Sequence, residues 1–319
     1  MTLPSLRSIE TAADLVHGVI PPTPQIRWPL LCARTGAEVW VKHENHTPVG
    51  AFKVRGGLVY MEELRQREPH VTGVIAATRG NHGQSVAFGA SRAGLRCVIV
   101  VPHGNSREKN AAMCALGAEL IVHGLDFQEA FEHAVQLAGE QHLHLVRSFD
   151  EALLRGVASC ALELFRAVSG LDTVYVPIGL GSGICAAIAV RDALGLQTEI
   201  VGVVASRAQA YALSFAAGRP VASDVGETIA DGMAVRVPDP AAIELILKGA
   251  SRIVTVAEEE IQDAMRHLFS DTHNLAEGAG AAPLAALLQE KDRMRGRRVA
   301  LVLTGGNVDR DVFARTLGA

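Results

Sequence analysis

The stretch Val74-Ile75-Ala76-Ala77-Thr78-Arg79-Gly80-Asn81-His82-Gly83-Gln84 decides the fold. Val74 to Ala77 is short, apolar and β-branched at its start, the pattern of a buried strand. A polar turn with two glycines follows and opens a helix predicted from Asn81 to Ala93, stopped by Gly94. Cys97 to Val101 reads as the next strand, closed by Pro102, and Ser106 caps a helix running to Leu116. Glu119 to Val122 is a third strand, Phe127 to Glu140 a helix, and His144 to Arg147 a fourth strand. Strands alternating with helices at this spacing imply parallel pairing through right-handed crossovers.

The alternation resumes with a strand at Thr173 to Pro177, a helix at Ile184 to Leu194 and a strand at Glu199 to Val204. Helices at Glu258 to Leu268 and Ala281 to Glu290 precede a last strand at Val299 to Leu303. Gly218 to Pro240, rich in Gly, Pro and polar residues, reads as irregular structure near a site. The fold class is α/β, with two open, twisted, mostly parallel sheets flanked by helices. Ligands in such folds sit beyond the carboxyl ends of the strands.

Bulk properties exclude several classes. The 319 residues suffice for one large core or two smaller ones, and a net charge of -4 argues against nucleic acid as a partner. The densest basic stretch, Lys291 to Arg298, reads as a solvated helix end. Met1 to Ile9 lacks the build of a secretory signal, and the apolar stretches break before the ~18 residues of a spanning helix. No membrane partner is expected, and the cytoplasm is the expected compartment. Five cysteines scattered singly suit a reducing environment. His142 and His144 would share one strand face, but no third ligand lies close, so no zinc site is expected.

Three loops after predicted strands carry glycines with polar neighbours. In 78 to 84 the backbone amides at the helix start could hold a carboxylate, or the loop is a plain turn with an Asn cap. Gly179-Leu180-Gly181-Ser182-Gly183 could cradle a phosphate, and it departs from the GxGxxG spacing of a dinucleotide site. Thr304-Gly305-Gly306-Asn307 offers a hydroxyl to a ring nitrogen, or Thr304 merely caps the final helix. Lys53, within Gly50-Ala51-Phe52-Lys53-Val54-Arg55-Gly56-Gly57, has small and aromatic neighbours suited to burial. A desolvated lysine has a lowered pKa and becomes a nucleophile or base near neutral pH, as Schiff-base chemistry requires.

Taken in order, these motifs resemble the serine/threonine dehydratase group of pyridoxal-phosphate enzymes, with the tryptophan synthase β-like fold (fold type II). The resemblance runs from about Thr23 to Asn307. It covers Lys42-x-Glu44, the Lys53 motif, Gly80-Asn81-His82-Gly83-Gln84, the 179 to 183 loop, Glu227-Thr228-Ile229-Ala230-Asp231-Gly232, Glu277-Gly278-Ala279-Gly280 and Thr304-Gly305-Gly306-Asn307. The resemblance implies that Lys53 forms a Schiff base with pyridoxal 5'-phosphate and that Phe52 packs beside the cofactor. Asn81 would hydrogen-bond the ring hydroxyl, while Gly179, Leu180, Gly181, Ser182 and Gly183 hold the phosphate and Thr304 meets the pyridine nitrogen. Thr78, Arg79, Gly80, Asn81 and His82 would receive the substrate carboxylate. The implied reaction turns a β-hydroxy-α-amino acid of the threonine or serine type into a 2-oxo acid and ammonia, with Lys53 as the base at Cα. A homodimer is the family expectation. So is a discontinuous large cofactor domain, 1–49 and 149–319, with a small domain at 50–148.

Three departures matter. Arg79 stands where relatives carry a small residue, and in racemising relatives a serine. Guanidinium cannot take a proton, which disfavours racemisation; Arg79 either grips a second acidic group on the substrate, as in 3-hydroxyaspartate, or turns outward or pairs with an acid of the protein. Val203 to Ala210, where some relatives bind a divalent ion through two carboxylates, has no Asp or Glu, so no metal is expected there. The sequence ends soon after Thr304, and no C-terminal regulatory domain is expected. A β-replacement synthase would carry Asn-Thr-Gly in place of Asn81-His82-Gly83. A nicotinamide dehydrogenase leaves Lys53 and Thr304 unexplained, and a non-catalytic binding protein leaves the whole set without a task.

Overall fold

A computed structural model describes residues 2–318. Helix α1 (Leu6–His17), capped by Ser5, leads to strand β1 (Gln25–Arg27), α2 (Pro29–Thr35) and β2 (Glu38–His43). Then come α3 (Lys53–Arg67), β3 (Gly73–Ala77), α4 (Asn81–Ala93) and β4 (Arg96–Val101). They are followed by α5 (Arg107–Ala115), β5 (Glu119–Val122), α6 (Phe127–Glu140) and β6 (His144–Leu145). The chain continues through α7 (Glu151–Ala167), β7 (Thr173–Pro177), α8 (Ser182–Ala193), β8 (Glu199–Ala205) and α9 (Ala210–Ala217). A 3-10 turn (Asp231–Met233) precedes α10 (Pro240–Gly249), β9 (Arg252–Val256), α11 (Glu258–Thr272) and α12 (Gly278–Gln289). The short α13 (Lys291–Met294), β10 (Arg298–Leu303) and α14 (Arg310–Leu317) complete the described chain.

The strands form two sheets, of order β5-β4-β3-β6 and β1-β2-β10-β7-β8-β9. Every pairing is parallel except β1 with β2. In the smaller sheet the chain steps outward from β3 to β4 and β5, then returns to the other side of β3 with β6. In the larger one it steps from β7 to β8 and β9, then returns to the other side of β7 with β10. Each return is a topological switch point, where the loops at the strand ends splay apart and open a crevice. The loops after β3, β7 and β10 are the three singled out in the sequence.

Two features set the start of α3. Gly56 and Gly156 bring α3 and α7 into backbone contact: a Cβ on Gly156 would lie 2.3 Å from the Arg55 carbonyl oxygen. Beneath α3, Arg55 grips Glu44 bidentately at 2.7 and 2.9 Å and reaches Glu163 at 2.6 Å, while Lys42 donates to Glu163 at 2.5 Å. Two buried cations thus balance two buried carboxylates, the condition under which such charges are tolerated.

Some sequence expectations differ from the structure. The fourth strand of the small sheet is only His144–Leu145, and His142 lies in the turn before it with a φ of 53°, so the two histidines share no strand face. α8 and α12 begin at Ser182 and Gly278, earlier than the predicted Ile184 and Ala281, because glycine-rich first turns carry little helix signal. α7, 12 of whose 17 residues are buried, has no counterpart among the sequence expectations, yet Glu151, Arg155, Glu163 and Arg166 mark one polar stripe along it, the pattern of an amphipathic helix. No described helix is long and apolar enough to cross a membrane.

Candidate active site

Lys53 is the first residue of α3, and its Nζ donates to Ser182 Oγ at 2.7 Å. The amine lies 5.1 Å from the centroid of the Phe52 ring. Two other lysines, Lys42 and Lys109, are more deeply buried, and each is paired with carboxylates. Lys53 has no carboxylate partner among the described residues, so burial alone acts on it and lowers its pKa to about 8. An amine in that state exchanges protons near neutral pH.

Facing it is the turn from β7 into α8. Gly181 has a φ of 99°, and its Cβ would meet the Ala242 Cβ at 2.8 Å. A Cβ on Gly179 would meet the Gly232 carbonyl oxygen at 2.5 Å. The Tyr211 hydroxyl donates to the Leu180 carbonyl at 2.9 Å, fixing the turn from behind. No side chain caps the start of α8, so its first amides stay free beside Ser182 and Gly183. Such a helix start suits a phosphate, through N–H donors and the positive end of the helix dipole.

The 78–82 loop forms the opposite wall. Thr78 Oγ1 accepts from the backbone N–H groups of Gly80 (2.9 Å) and Gly83 (3.2 Å), so Thr78 organises the helix start and Asn81 is not the cap. Asn81 instead donates from Nδ2 to Glu277 Oε1 at 2.6 Å and accepts at Oδ1 from Asn307 at 2.9 Å. His82 is buried, and among the described residues neither ring nitrogen has a hydrogen-bond partner. Burial, and secondarily the charge of Lys53, lower its pKa to about 3, so the ring is neutral. Arg79 has a buried Nε without a partner, and no protein carboxylate pairs with its guanidinium among the described residues. Thr304 is no cap either, since α14 begins at Arg310 with Asp309 before it. It is buried at the end of β10, and its carbonyl accepts from Phe52 N at 2.9 Å.

All the predicted site residues line one cavity of about 870 Å³. Sequence reasoning gave no role to Lys109, Asp231 and Glu277, which line it too. Asp231 and Glu277 fall in motifs quoted above, whereas Lys109 sits in a helix whose charged first turn resembles any solvated one.

An unpaired amine, a glycine turn at a free helix start and a neutral hydroxyl thus converge from three strand ends. Residues 16–305 match the family described as pyridoxal-phosphate dependent enzyme. The chain belongs to that family. It is 32% identical over 315 residues to the L-threonine ammonia-lyase of Thermotoga maritima, covering 98% of this chain and 78% of that one. It is 35% identical over 291 residues to the biosynthetic L-threonine dehydratase of Salmonella typhimurium, covering 90% of this chain but spanning only 56% of that protein's length. Among solved structures, the processed form of threonine deaminase isoform 2 from Solanum lycopersicum superposes with a TM-score of 0.89 at 26% identity, covering 99% of this chain and 94% of that one. The residues present fit the family's cofactor. Lys53 is free for the aldehyde, the turn at Gly179 and Gly181 leaves no room for a Cβ where a phosphate needs bare backbone, and no side-chain carboxylate caps the start of α8 in competition with that phosphate.

Proposed function

We propose that this pyridoxal-phosphate enzyme eliminates ammonia from a β-hydroxy-α-amino acid of the threonine or serine type. The observation that carries the reading is the partly buried Lys53 amine, without a carboxylate partner among the described residues and 2.7 Å from the hydroxyl at the start of α8. The names of its relatives support the same reaction class.

Pyridoxal phosphate, when bound, supplies an aldehyde and an electron-withdrawing ring. Lys53 would attach it, and the α8 start with Gly179 to Gly183 would hold its phosphate. With a pKa near 8, about a tenth of the Lys53 amine is neutral at pH 7, so Lys53 can both take and return a proton at Cα. The amides and neutral His82 of the 78–82 loop orient the substrate carboxylate. Thr304 would offer the ring nitrogen a neutral hydroxyl in place of a carboxylate, a partner that would not favour protonation of that nitrogen and would suit elimination of the β-hydroxyl over transamination.

A second reading concerns the substrate side chain. Arg79 lines both the site cavity and an adjoining open cavity of about 1290 Å³ bounded by 125–128 and 224–237. Among the described residues its guanidinium has no protein acid to neutralise it, which favours a substrate with a second carboxylate such as 3-hydroxyaspartate. We take residues 50–148 as the smaller domain and 1–49 with 149–319 as the cofactor domain. We also take the enzyme to be a cytoplasmic homodimer, a location the five free cysteines suit.

Borohydride treatment of the purified protein should fix a yellow chromophore to the peptide containing Lys53. A panel of hydroxy amino acids should give keto acid and ammonia. A colourless protein, or colour without turnover on any of them, refutes the reading.

A further inference from the structure

A chain of polar contacts crosses the cavity wall between the two sheets. Asn307 Nδ2 donates to the Val49 carbonyl at 2.8 Å and to Asn81 Oδ1 at 2.9 Å. Asn81 Nδ2 donates to Glu277 Oε1 at 2.6 Å, and Glu277 Oε2 lies 3.1 Å from Lys109 Nζ. Lys109 also donates to both carboxylate oxygens of Asp231, at 2.9 and 2.7 Å.

Three glycines make room for this chain. A Cβ on Gly50 would lie 2.6 Å from Asn307 Oδ1, one on Gly305 2.5 Å from Glu277 Oε1, and one on Gly80 2.4 Å from the Lys109 side chain. Each of these glycines comes from a different motif of the sequence.

The polarity of the chain is forced from both ends. A peptide carbonyl can only accept, so Asn307 must turn its amide nitrogen towards Val49 and Asn81, and Asn81 must meet it with oxygen. An ionised carboxylate can likewise only accept, so Glu277 must receive the Asn81 nitrogen. Both constraints leave Asn81 an N–H, and not a carbonyl, to offer the cavity.

The second constraint depends on Glu277 remaining ionised. The groups facing it are Lys109 from α5, Asp231 from the 3-10 turn, the neutral Asn81 from α4 and the neutral Asn307 from the loop after β10. Lys53 and His82 line the same cavity, and His82 is neutral. Burial and the charge of Asp231 both push Glu277 towards its protonated form, and Lys109 opposes them. A protonated Glu277 could donate, and the amide of Asn81 would be free to turn over.

We infer that Lys109 is a positioning residue which, by holding Glu277 as an acceptor, fixes the donor end of the Asn81 carboxamide towards the cavity and so selects an anionic oxygen on the cofactor. The inference rests on the cofactor site described under Proposed function. Lys109 acts on the cofactor through Glu277 and Asn81, and its loss should therefore be visible in the cofactor's environment rather than only in turnover.

The test is the visible absorption of the bound cofactor in holoenzyme, followed across the neutral pH range. The wild type and Lys109→Arg should give spectra that do not change with pH. Lys109→Met should show a new spectral titration and hold the cofactor about tenfold more weakly, the scale of one hydrogen bond to a charged group. Adding Glu277→Gln should abolish the titration, because an amide does not ionise. A Lys109→Met spectrum identical to wild type, or a titration that survives Glu277→Gln, overturns the inference. Should Lys109→Met fail to fold, the double variant Lys109→Met/Glu277→Gln carries no unpaired buried charge. It should then show a pH-independent spectrum shifted from wild type, and a wild-type spectrum with wild-type cofactor affinity overturns the inference. A colourless wild type would instead sink the proposed function, so the two failures are distinct.

Discussion

Glu108 and Asp309 cap each other's helices across the cleft between the sheets. Asp309 precedes α14, yet its carboxylate accepts from the backbone N–H groups of Arg107 and Glu108 at the start of α5, both at 3.2 Å, and from Ser106 Oγ at 2.5 Å. Glu108, in the first turn of α5, accepts in return from Arg310 N at the start of α14, at 2.9 Å. Orphan amides at two helix starts are thus satisfied in trans, and α5 is held where Lys109 meets Asp231 and Glu277.

Asp309→Ala should therefore destabilise the protein by about 1 to 2 kcal/mol, the usual loss for a helix cap. Chemical denaturation measures it. Cofactor affinity should fall with it, since α5 carries Lys109. A variant as stable as the wild type contradicts the cross-capping.

The buried cluster of Lys42, Glu44, Arg55 and Glu163 predicts an acid-side weakness. Both carboxyls have pKa values lowered by Arg55 and Lys42, against the opposing effect of burial. The unfolded chain then binds more protons than the folded one as the pH falls through the ordinary carboxylate range and below. Stability is present above that range and is lost on acidification. Glu163→Gln should cost about 3 to 5 kcal/mol at neutral pH, because it leaves buried cations undercompensated, and should flatten the acid limb of the stability curve. Urea midpoints at several pH values decide it.

Lys53 reacts with an aldehyde only as the free amine. Reconstitution of the apoenzyme with pyridoxal phosphate should speed up as pH rises through about 8 and level off above it. Stopped-flow absorbance reads this directly, and a rate set by a group near the ordinary lysine value would show that burial does not act as described. Lys53→Ala should take up no borohydride label.

Arg79→Ser separates the two substrate readings. If the guanidinium binds a distal carboxylate, kcat/KM on 3-hydroxyaspartate should fall about 100-fold, while that on threonine changes by less than about threefold. Equal effects on both substrates would remove Arg79 from specificity.

The sequence alone determined the alternation of strands and helices, the three loops at strand ends and the amine, glycine and hydroxyl groups they carry. These are properties of contiguous residues: a strand period, a glycine that opens a turn, a lysine with small neighbours. Tertiary structure decided what those groups touch. Lys109 and Asp231 stand 122 residues apart, so no local pattern could pair them. Lys109 follows β4 of the smaller sheet and Asp231 lies between β8 and β9 of the larger, so they meet only where the two sheets come together. α7 is a different case: Glu151, Arg155, Glu163 and Arg166 give it a helical period that contiguous residues do carry, and only the partners of that face depend on the tertiary structure. Thr78 and Asn81 also exchanged roles in space. The threonine organises the helix start, which releases the asparagine to meet Glu277. Side-chain partners depend on where distant segments come to rest, and only the assembled sheets fix that.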